Sequence, residues 1–246
     1  HHLSSIMPEL PEVETIMRGL EKVLLGHEFA KVEIRRKDLR WPLPTNFATS
    51  VSHKQILKLE RRAKYILIHL SQEKTLLLHL GMSGRIVEDD GLAPLAKHDH
   101  VIFTTDTGAR LRFHDPRRFG MMDVVKTDMV MQHKLLTHLG VEPLENAFTG
   151  AFLARSLRGR HIPIKIAIMD QQRIVGIGNI YASEALFYAG IDPCREAQSL
   201  SAKECTRLVA AIKKVLRLAI SKGGSSLRDY VQADGSQGIF QNEFAV

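Results

Sequence analysis

Val13, Ile16, Met17, Leu20 and Leu24 recur three or four positions apart before Gly26, which predicts an amphipathic helix from about residue 11 to 25. Pro11 suits a first helical turn, and Glu12 and Glu14 lie toward the positive end of the helix dipole. The pattern then turns β-like. Residues 63–70 and 74–80 are short apolar runs, and 101–105 and 111–113 flank a Thr107-Gly108 turn. Short strands between turns predict an antiparallel sandwich. Residues 88–99 read as a polar loop. From about residue 133 the pattern is helical, punctuated by Pro143, Pro163 and Pro193. The clearest helix opens at Ser201, where Ser201 and Glu204 form a capping box; Leu208, Ile212, Val215 and Ala219 make its buried stripe, and Gly223 ends it. The chain is therefore expected to be α+β, dividing near residues 140–150 into an antiparallel β-sandwich with a flanking helix and a helical part.

Charge adds a candidate partner. The 246 residues carry 34 basic and 27 acidic groups, a net charge of +7, and the excess lies mostly after residue 150. Such an excess favours a polyanion such as nucleic acid. No apolar run reaches the roughly 18 residues of a membrane span, and no signal peptide is recognisable, so a cytoplasmic protein away from membranes is expected. The only two cysteines, Cys194 and Cys205, have no metal-type spacing and read as reduced thiols.

The candidate chemistry begins at Pro8-Glu9. A proline at a free N-terminus is a secondary amine, able to attack an electrophilic sugar carbon and become a cationic imine, with the Glu9 carboxyl one residue away. Residues 1–6 read as the remnant of a purification tag; with them and Met7 attached, the Pro8 nitrogen is an unreactive tertiary amide. A helix start is the alternative reading of the same stretch. Gly176-Ile177-Gly178-Asn179 precedes a helical run, a corner whose amides can bind phosphate, or which is simply a cap supplied by Asn179. His114-Asp115-Pro116-Arg117-Arg118-Phe119-Gly120 closes a strand and could project guanidinium groups and a ring into a base stack, or hold an Arg–Asp115 pair beside a core Phe. Met82, between Gly81 and Gly84, is either a core-edge residue or a probe of a duplex. Lys64 falls at the start of a buried strand behind Arg61 and Arg62, a trio that could equally be a solvated charge cluster. Residues 223–241 read as a mobile polar loop or lid.

Taken in order, Pro8-Glu9-Leu10-Pro11-Glu12-Val13-Glu14-Thr15, Leu80-Gly81-Met82-Ser83-Gly84, Asp115-Pro116-Arg117-Arg118-Phe119-Gly120, Asp170-Gln171 with Gly176-Ile177-Gly178-Asn179-Ile180-Tyr181, and the segment 223–241 resemble the bacterial formamidopyrimidine-DNA glycosylases. The resemblance runs from Met7 to Val246. It implies a multidomain enzyme: a β-sandwich catalytic domain over 7–140, a helical helix-two-turn-helix DNA-binding domain over 141–230, and 231–246 as the loop end and the start of a further module. It implies base excision repair: Pro8 attacks the sugar C1′ of an extruded oxidised purine such as 8-oxoguanine or a formamidopyrimidine. Glu9 protonates the opening sugar, and β and δ eliminations cut the strand. By the same resemblance Lys64 is a hairpin lysine of the catalytic site near the lesion phosphates. His79, Asn179 and Lys165 contact the DNA backbone, and Met82, Arg117 and Phe119 fill the void. Ser225, Ser226, Arg228 and Tyr230 belong to the loop that closes over the flipped base. The expected partner is double-stranded DNA with oxidised bases or abasic sites, bound by a monomer.

Family members continue into a zinc finger of four cysteines, for which this sequence has no Cys-x-x-Cys pair; no metal or other cofactor is expected in these residues, one zinc ion is expected in a full-length relative, and weakened DNA binding is expected without the finger. Competing readings are an endonuclease VIII-like glycosylase for oxidised pyrimidines, a damaged-DNA binder without turnover, and a basic RNA-binding protein. The last accounts for the charge but not for the ordered motifs.

Overall fold

The computed structural model describes residues 8–223. The readings placed on residues 1–7 and on 224–246, among them the tag remnant and Ser225, Ser226, Arg228 and Tyr230, lie outside the described residues. Helix α1 (Leu10–Leu24) has Glu9 at its N-cap and proline in its first turn, and buries Leu10, Val13, Ile16, Met17, Leu20 and Leu24. It is followed by β1 (Phe29–Ile34), the short α2 (Phe47–Val51), β2 (Ile56–Arg62), β3 (Tyr65–Leu70), β4 (Lys74–His79), β5 (Arg85–Asp89), β6 (Asp99–Thr105), β7 (Arg110–His114) and β8 (Met121–Lys126). These strands form two four-stranded antiparallel sheets, ordered β1-β6-β7-β5 and β2-β3-β4-β8. One continuous core joins them to α1, with Leu20, Ile66, Phe47 and Val101 fully enclosed.

The expected strand start at residue 63 is corrected. Ala63 and Lys64 form a two-residue turn between β2 and β3, with Arg62 opposite Tyr65 and Ala63 in the left-handed region at φ 54°. An apolar run cannot reveal a turn made without glycine. The polar loop is also shorter than expected, because β5 and β6 extend into its two ends. Strands β1, β2 and β8 carried no clear alternation; β2, for example, reads Ile-Leu-Lys-Leu-Glu-Arg-Arg, and only its tertiary partners make it a strand.

Residues 133–149 are mostly turns rather than helix, after a 3-10 segment over Thr127–Gln132. The helical part begins at α3 (Gly150–Leu157), capped by the Thr149 side chain, and continues through α4 (Ile164–Ile168), α5 (Asn179–Ala189) and α6 (Ala202–Ser221). Its separate core gathers Leu153, Ile168, Tyr181, Leu186, Leu208, Ile212 and Leu216. Helix α6 bears out the sequence reading: Ser201 Oγ accepts from Glu204 N–H, the Glu204 carboxylate accepts from Ser201 N–H, and Gly223 follows at φ 82°.

The two parts touch where the site lies. Leu10 N–H donates to the Gly176 carbonyl at 2.9 Å. Register brings Arg62, Tyr65, His79 and Met121 side by side across β2, β3, β4 and β8. The Ala63-Lys64 turn, the loop after β4 and the loop before β8 therefore share one end of that sheet.

Burial fixes the ranking of two replacements in the helical part. Ile212→Ala empties a position that is 1% exposed and should cost about 2–5 kcal/mol, whereas Ser201→Ala removes one cap and should cost about 1 kcal/mol. Equilibrium urea unfolding followed by circular dichroism should return that order.

Candidate functional site

Glu9 is the centre of the site. It lies at the N-cap of α1, yet its side chain crosses to the N-terminus of α5. Glu9 Oε1 accepts from Gly178 N–H at 2.7 Å and Tyr181 N–H at 3.2 Å, and Oε2 accepts from Ile180 N–H at 2.9 Å. A helix N-terminus leaves such amides unpaired and carries partial positive charge, so a carboxylate is its natural occupant. This corrects two sequence expectations. Asn179 does not cap α5: Gly178 is the N-cap and Asn179 the first helical residue, its side chain exposed. The corner is also less open to a phosphate than its sequence suggests: Glu9 holds the amide of Gly178 and, beyond the corner, those of Ile180 and Tyr181, and Gln171 Oε1 accepts from Gly176 N–H at 2.7 Å.

Beneath Glu9, Glu12 is buried; it accepts from Glu9 N–H at 2.9 Å and from the Tyr181 hydroxyl at 2.6 Å. Pro8, also buried, leads directly into this cluster. Burial pushes the Glu9 carboxyl above its ordinary value, against the opposing pull of the Ile180 and Gly178 amides and the Lys64 ammonium. Burial likewise pulls Lys64 below its ordinary value, while the charges of Glu9 and Glu12 hold it up. The turn that sequence reasoning misplaced therefore puts its lysine within electrostatic reach of the two carboxylates.

His79 ends β4 beside the Tyr65 ring, at a centroid distance of 4.7 Å. Burial, with the nearby cations Lys64 and Arg40, lowers its pKa to about 4, so the ring is neutral near pH 7. Its Nδ1 accepts from Gly81 N–H at 2.9 Å, which places the ring proton on Nε2 as an outward donor.

The loops at residues 80–84 and 115–120 are tied together by Asp115, which is fully buried. Asp115 accepts from Ser83 Oγ at 2.6 Å and from Gly120 N–H at 2.8 Å, and its carbonyl accepts from the His100 ring at 2.7 Å. The alternative Arg–Asp115 pair does not form: Arg118 binds Asp38 instead, at 2.7 Å. Nor is Phe119 a core residue. It is 38% exposed, with the Arg117 guanidinium 4.9 Å above its ring. Gly81, at φ 64°, presses against the Phe119–Gly120 peptide, where a Cβ would come within 2.4 Å of Phe119 C. Met82, Arg117 and Phe119 thus line one open recess of about 600 Å³ with Leu39, Arg40 and Arg118.

The structure therefore gathers Pro8, Glu9, Lys64 and His79 at one end of the sheet, and Met82, Arg117 and Phe119 beside them. Asn179 adjoins the Glu9 contacts through its neighbours. Lys165 stands on α4, which packs on α5, and is half-buried without bonding any other candidate among the described residues. Sequence reasoning passed over the parts that hold these groups: Glu12 and Tyr181 under Glu9, and Asp115 and Ser83 within the two loops. The Arg61-Arg62 pair is likewise no solvated cluster, since Arg61 is enclosed between Glu14 at 2.9 Å and Glu142 at 2.8 Å. Among the described residues, no three His, Cys, Asp or Glu side chains gather as a metal site would require.

Residues 7–122 match the family model described as the formamidopyrimidine-DNA glycosylase N-terminal domain, and residues 139–231 match its H2TH domain. A protein named formamidopyrimidine-DNA glycosylase from Dinoroseobacter shibae is 53% identical, over 98% of this chain and 88% of the relative. Its namesake from Gluconobacter oxydans is 51% identical, over 96% of this chain and 86% of the relative. The fold is similar to that of the MutM (Fpg) protein of Thermus thermophilus, with a TM-score of 0.83 and 38% identity over 97% of this chain and 86% of that one. It is similar also to the Lactococcus lactis Fpg solved with abasic-site DNA, with a TM-score of 0.85 and 32% identity over 96% of this chain and 86% of that one. Two matched domains, relatives at half identity along nearly the whole chain, and a shared fold place the chain in the formamidopyrimidine-DNA glycosylase family.

Proposed function

We propose that this DNA glycosylase of DNA repair removes oxidised purines by way of an imine on Pro8. The observation that carries the reading is the Glu9 carboxyl, buried on the amides of α5 one residue from Pro8 and facing Lys64. With Pro8 as the first residue, its neutral ring nitrogen attacks C1′ of the extruded nucleotide, the bond to the base breaks, and the departing anionic base takes up the proton that the nitrogen gives away. Glu9 then donates its proton to the sugar ring oxygen as the C1′–O bond opens, and the nitrogen lone pair closes onto C1′ to leave a cationic imine. That electron sink acidifies the neighbouring carbon, and successive eliminations expel the 3′ and 5′ phosphates. A Glu9 proton held more tightly than a free glutamate's suits an acid, and the Lys64 ammonium supplies positive charge beside the scissile strand.

His79, neutral with Nε2–H outward, fits a hydrogen bond to a backbone phosphate, as do the exposed Asn179 amide and the Lys165 ammonium. Met82, Arg117 and Phe119, set along one recess, fit the space an extruded base leaves; extrusion itself costs a few kcal/mol, which such filling offsets. A mutant of the Lactococcus lactis Fpg has been solved with DNA containing Fapy-dG, and the wild-type protein with DNA containing an oxidised pyrimidine. The second of these favours a wider range, in which some oxidised pyrimidines are also accepted. The two cysteines, Cys194, exposed, and Cys205, buried, are given no metal-holding role in this reading.

Borohydride reduction during turnover tests the imine. With Pro8 verified by mass as the first residue, an 8-oxoguanine duplex should yield a covalent adduct at Pro8, and no adduct would overturn the mechanism. Glu9→Gln keeps the shape but cannot donate the proton; single-turnover base excision should fall by roughly 10²–10⁴, and a loss below about tenfold would remove Glu9 from the acid's role. The pH profile gives a second check. Excision should fall as rising pH takes the proton from Glu9. Because the Lys64 charge lowers the Glu9 pKa, Lys64→Ala should move that falling limb to higher pH; an unmoved limb would show that the two groups are uncoupled.

A further inference from the structure

We infer that Glu142 is the positioning residue for Lys64. The inference rests on the proposed role of Lys64 and adds how the lysine is held in register with Glu9. The Ala63-Lys64 turn places Ala63 at φ 54°, a conformation that a residue with a Cβ rarely holds unaided. Both faces of Ala63 are gripped. Its N–H donates to Glu142 Oε2 at 2.8 Å, and its carbonyl accepts from the Arg61 guanidinium at 2.9 Å. Arg61 is paired in turn with Glu142 Oε1 at 2.8 Å and with Glu14 of α1 at 2.9 Å. Arg62 completes the clamp: it donates to Glu142 Oε2 at 3.0 Å and to the carbonyls of Leu139 and Gly140 at 3.2 and 2.8 Å.

Glu142 is itself fixed to the frame that holds Glu9. Gly140 N–H donates to the Gln171 carbonyl at 2.8 Å, Val141 N–H to that of Arg173 at 3.0 Å, and Val175 N–H to that of Val141 at 3.0 Å. The next residue, Gly176, takes Leu10 N–H and opens the corner whose amides hold the Glu9 carboxylate. The Lys64 turn and the Glu9 carboxylate are thereby referred to one short ladder, with Glu142 joining its hairpin side. The side-chain partners of Glu142 are Arg61, Arg62 and the Ala63 amide rather than Lys64 itself, so it acts through the turn. A buried carboxylate that merely stapled the two halves together would need neither the bond to Ala63 nor the left-handed residue.

A double-mutant cycle between Lys64→Ala and Glu142→Gln, read by single-turnover excision of 8-oxoguanine, tests the inference. Glu142→Gln alone should slow excision by on the order of tenfold to a hundredfold, the scale of a displaced reacting group, with thermal melting confirming a folded protein. On the Lys64→Ala background it should slow excision no further, and it should move the Glu9-dependent limb of the pH profile upward just as Lys64→Ala does. Independent, multiplying losses, or an unmoved limb, would overturn the role of Glu142. A Lys64→Ala variant as fast as its parent would instead overturn the role of Lys64, so the two failures are distinguishable. If Glu142→Gln does not fold, Glu142→Asp enters the same cycle: it keeps the charge but withdraws it from Ala63, and the same outcomes decide.

Discussion

A carboxylate on a helix end that belongs to the other half of the chain is the constraint on which the rest of this structure depends. The first turn of α5 leaves amides without partners inside the helix. Glu9 supplies their acceptor from 169 positions away, the span between Glu9 and Gly178. Contact this close sets the local sequence. At Gly178 a Cβ would lie 2.7 Å from Glu9 Cδ, and at Gly176, with φ 83°, it would lie 2.6 Å from Leu10 Cδ1. Both positions therefore exclude larger residues. The α1 start, the α5 start and the ladder of residues 140–142 with 171–175 close into one frame, and Pro8 emerges from it.

That frame explains the electrostatics of the site. Burial acts on Glu9, Lys64 and His79 together, favouring the uncharged form of each, and mutual attraction between Lys64 and the carboxylates resists it. Backbone amides steady Glu9 without adding a formal charge, which leaves Lys64 as the adjustable cation. His79 carries no charge to compete with it. The result is a buried carboxyl next to Pro8 within the electrostatic reach of a lysine, with the recess of Met82, Arg117 and Phe119 beside them. The two loops of the recess are joined for a separate reason: buried Asp115 accepts from Ser83 Oγ across them and from Gly120 N–H within its own loop, and parting them would leave one carboxylate oxygen without its partner.

Much of this was legible in the residues. The stripe of α1, the capping box and stripe of α6, and the division into a sandwich and a helical part follow from spacing, because apolar periodicity and caps are local properties. The ordered motifs contain Pro8, Glu9, Met82, Arg117, Phe119 and Asn179, whereas Lys64, His79 and Lys165 took their candidate roles only from the family resemblance. What stayed hidden were contacts between segments distant in sequence. Glu12 reads as an ordinary first-turn acid until Tyr181 and Glu9 close over it. Arg61 and Arg62 read as surface charge until Glu142 encloses them.

The sequence by itself determined the element types wherever pattern and caps agree, and it supplied the candidate groups of the proposed chemistry, since what a proline or a glutamate can do as a group is set by its covalent structure. Tertiary structure decided what each group can do. It turned Asn179 from a cap into an exposed side chain, gave the amides of α5 to Glu9 rather than to a ligand, and moved Lys64 from a strand into a left-handed turn facing two carboxylates. The reason is physical: an amide's partner, a carboxyl's proton affinity and a turn's strain depend on which atoms exclude water from it, and those atoms come from elsewhere in the chain.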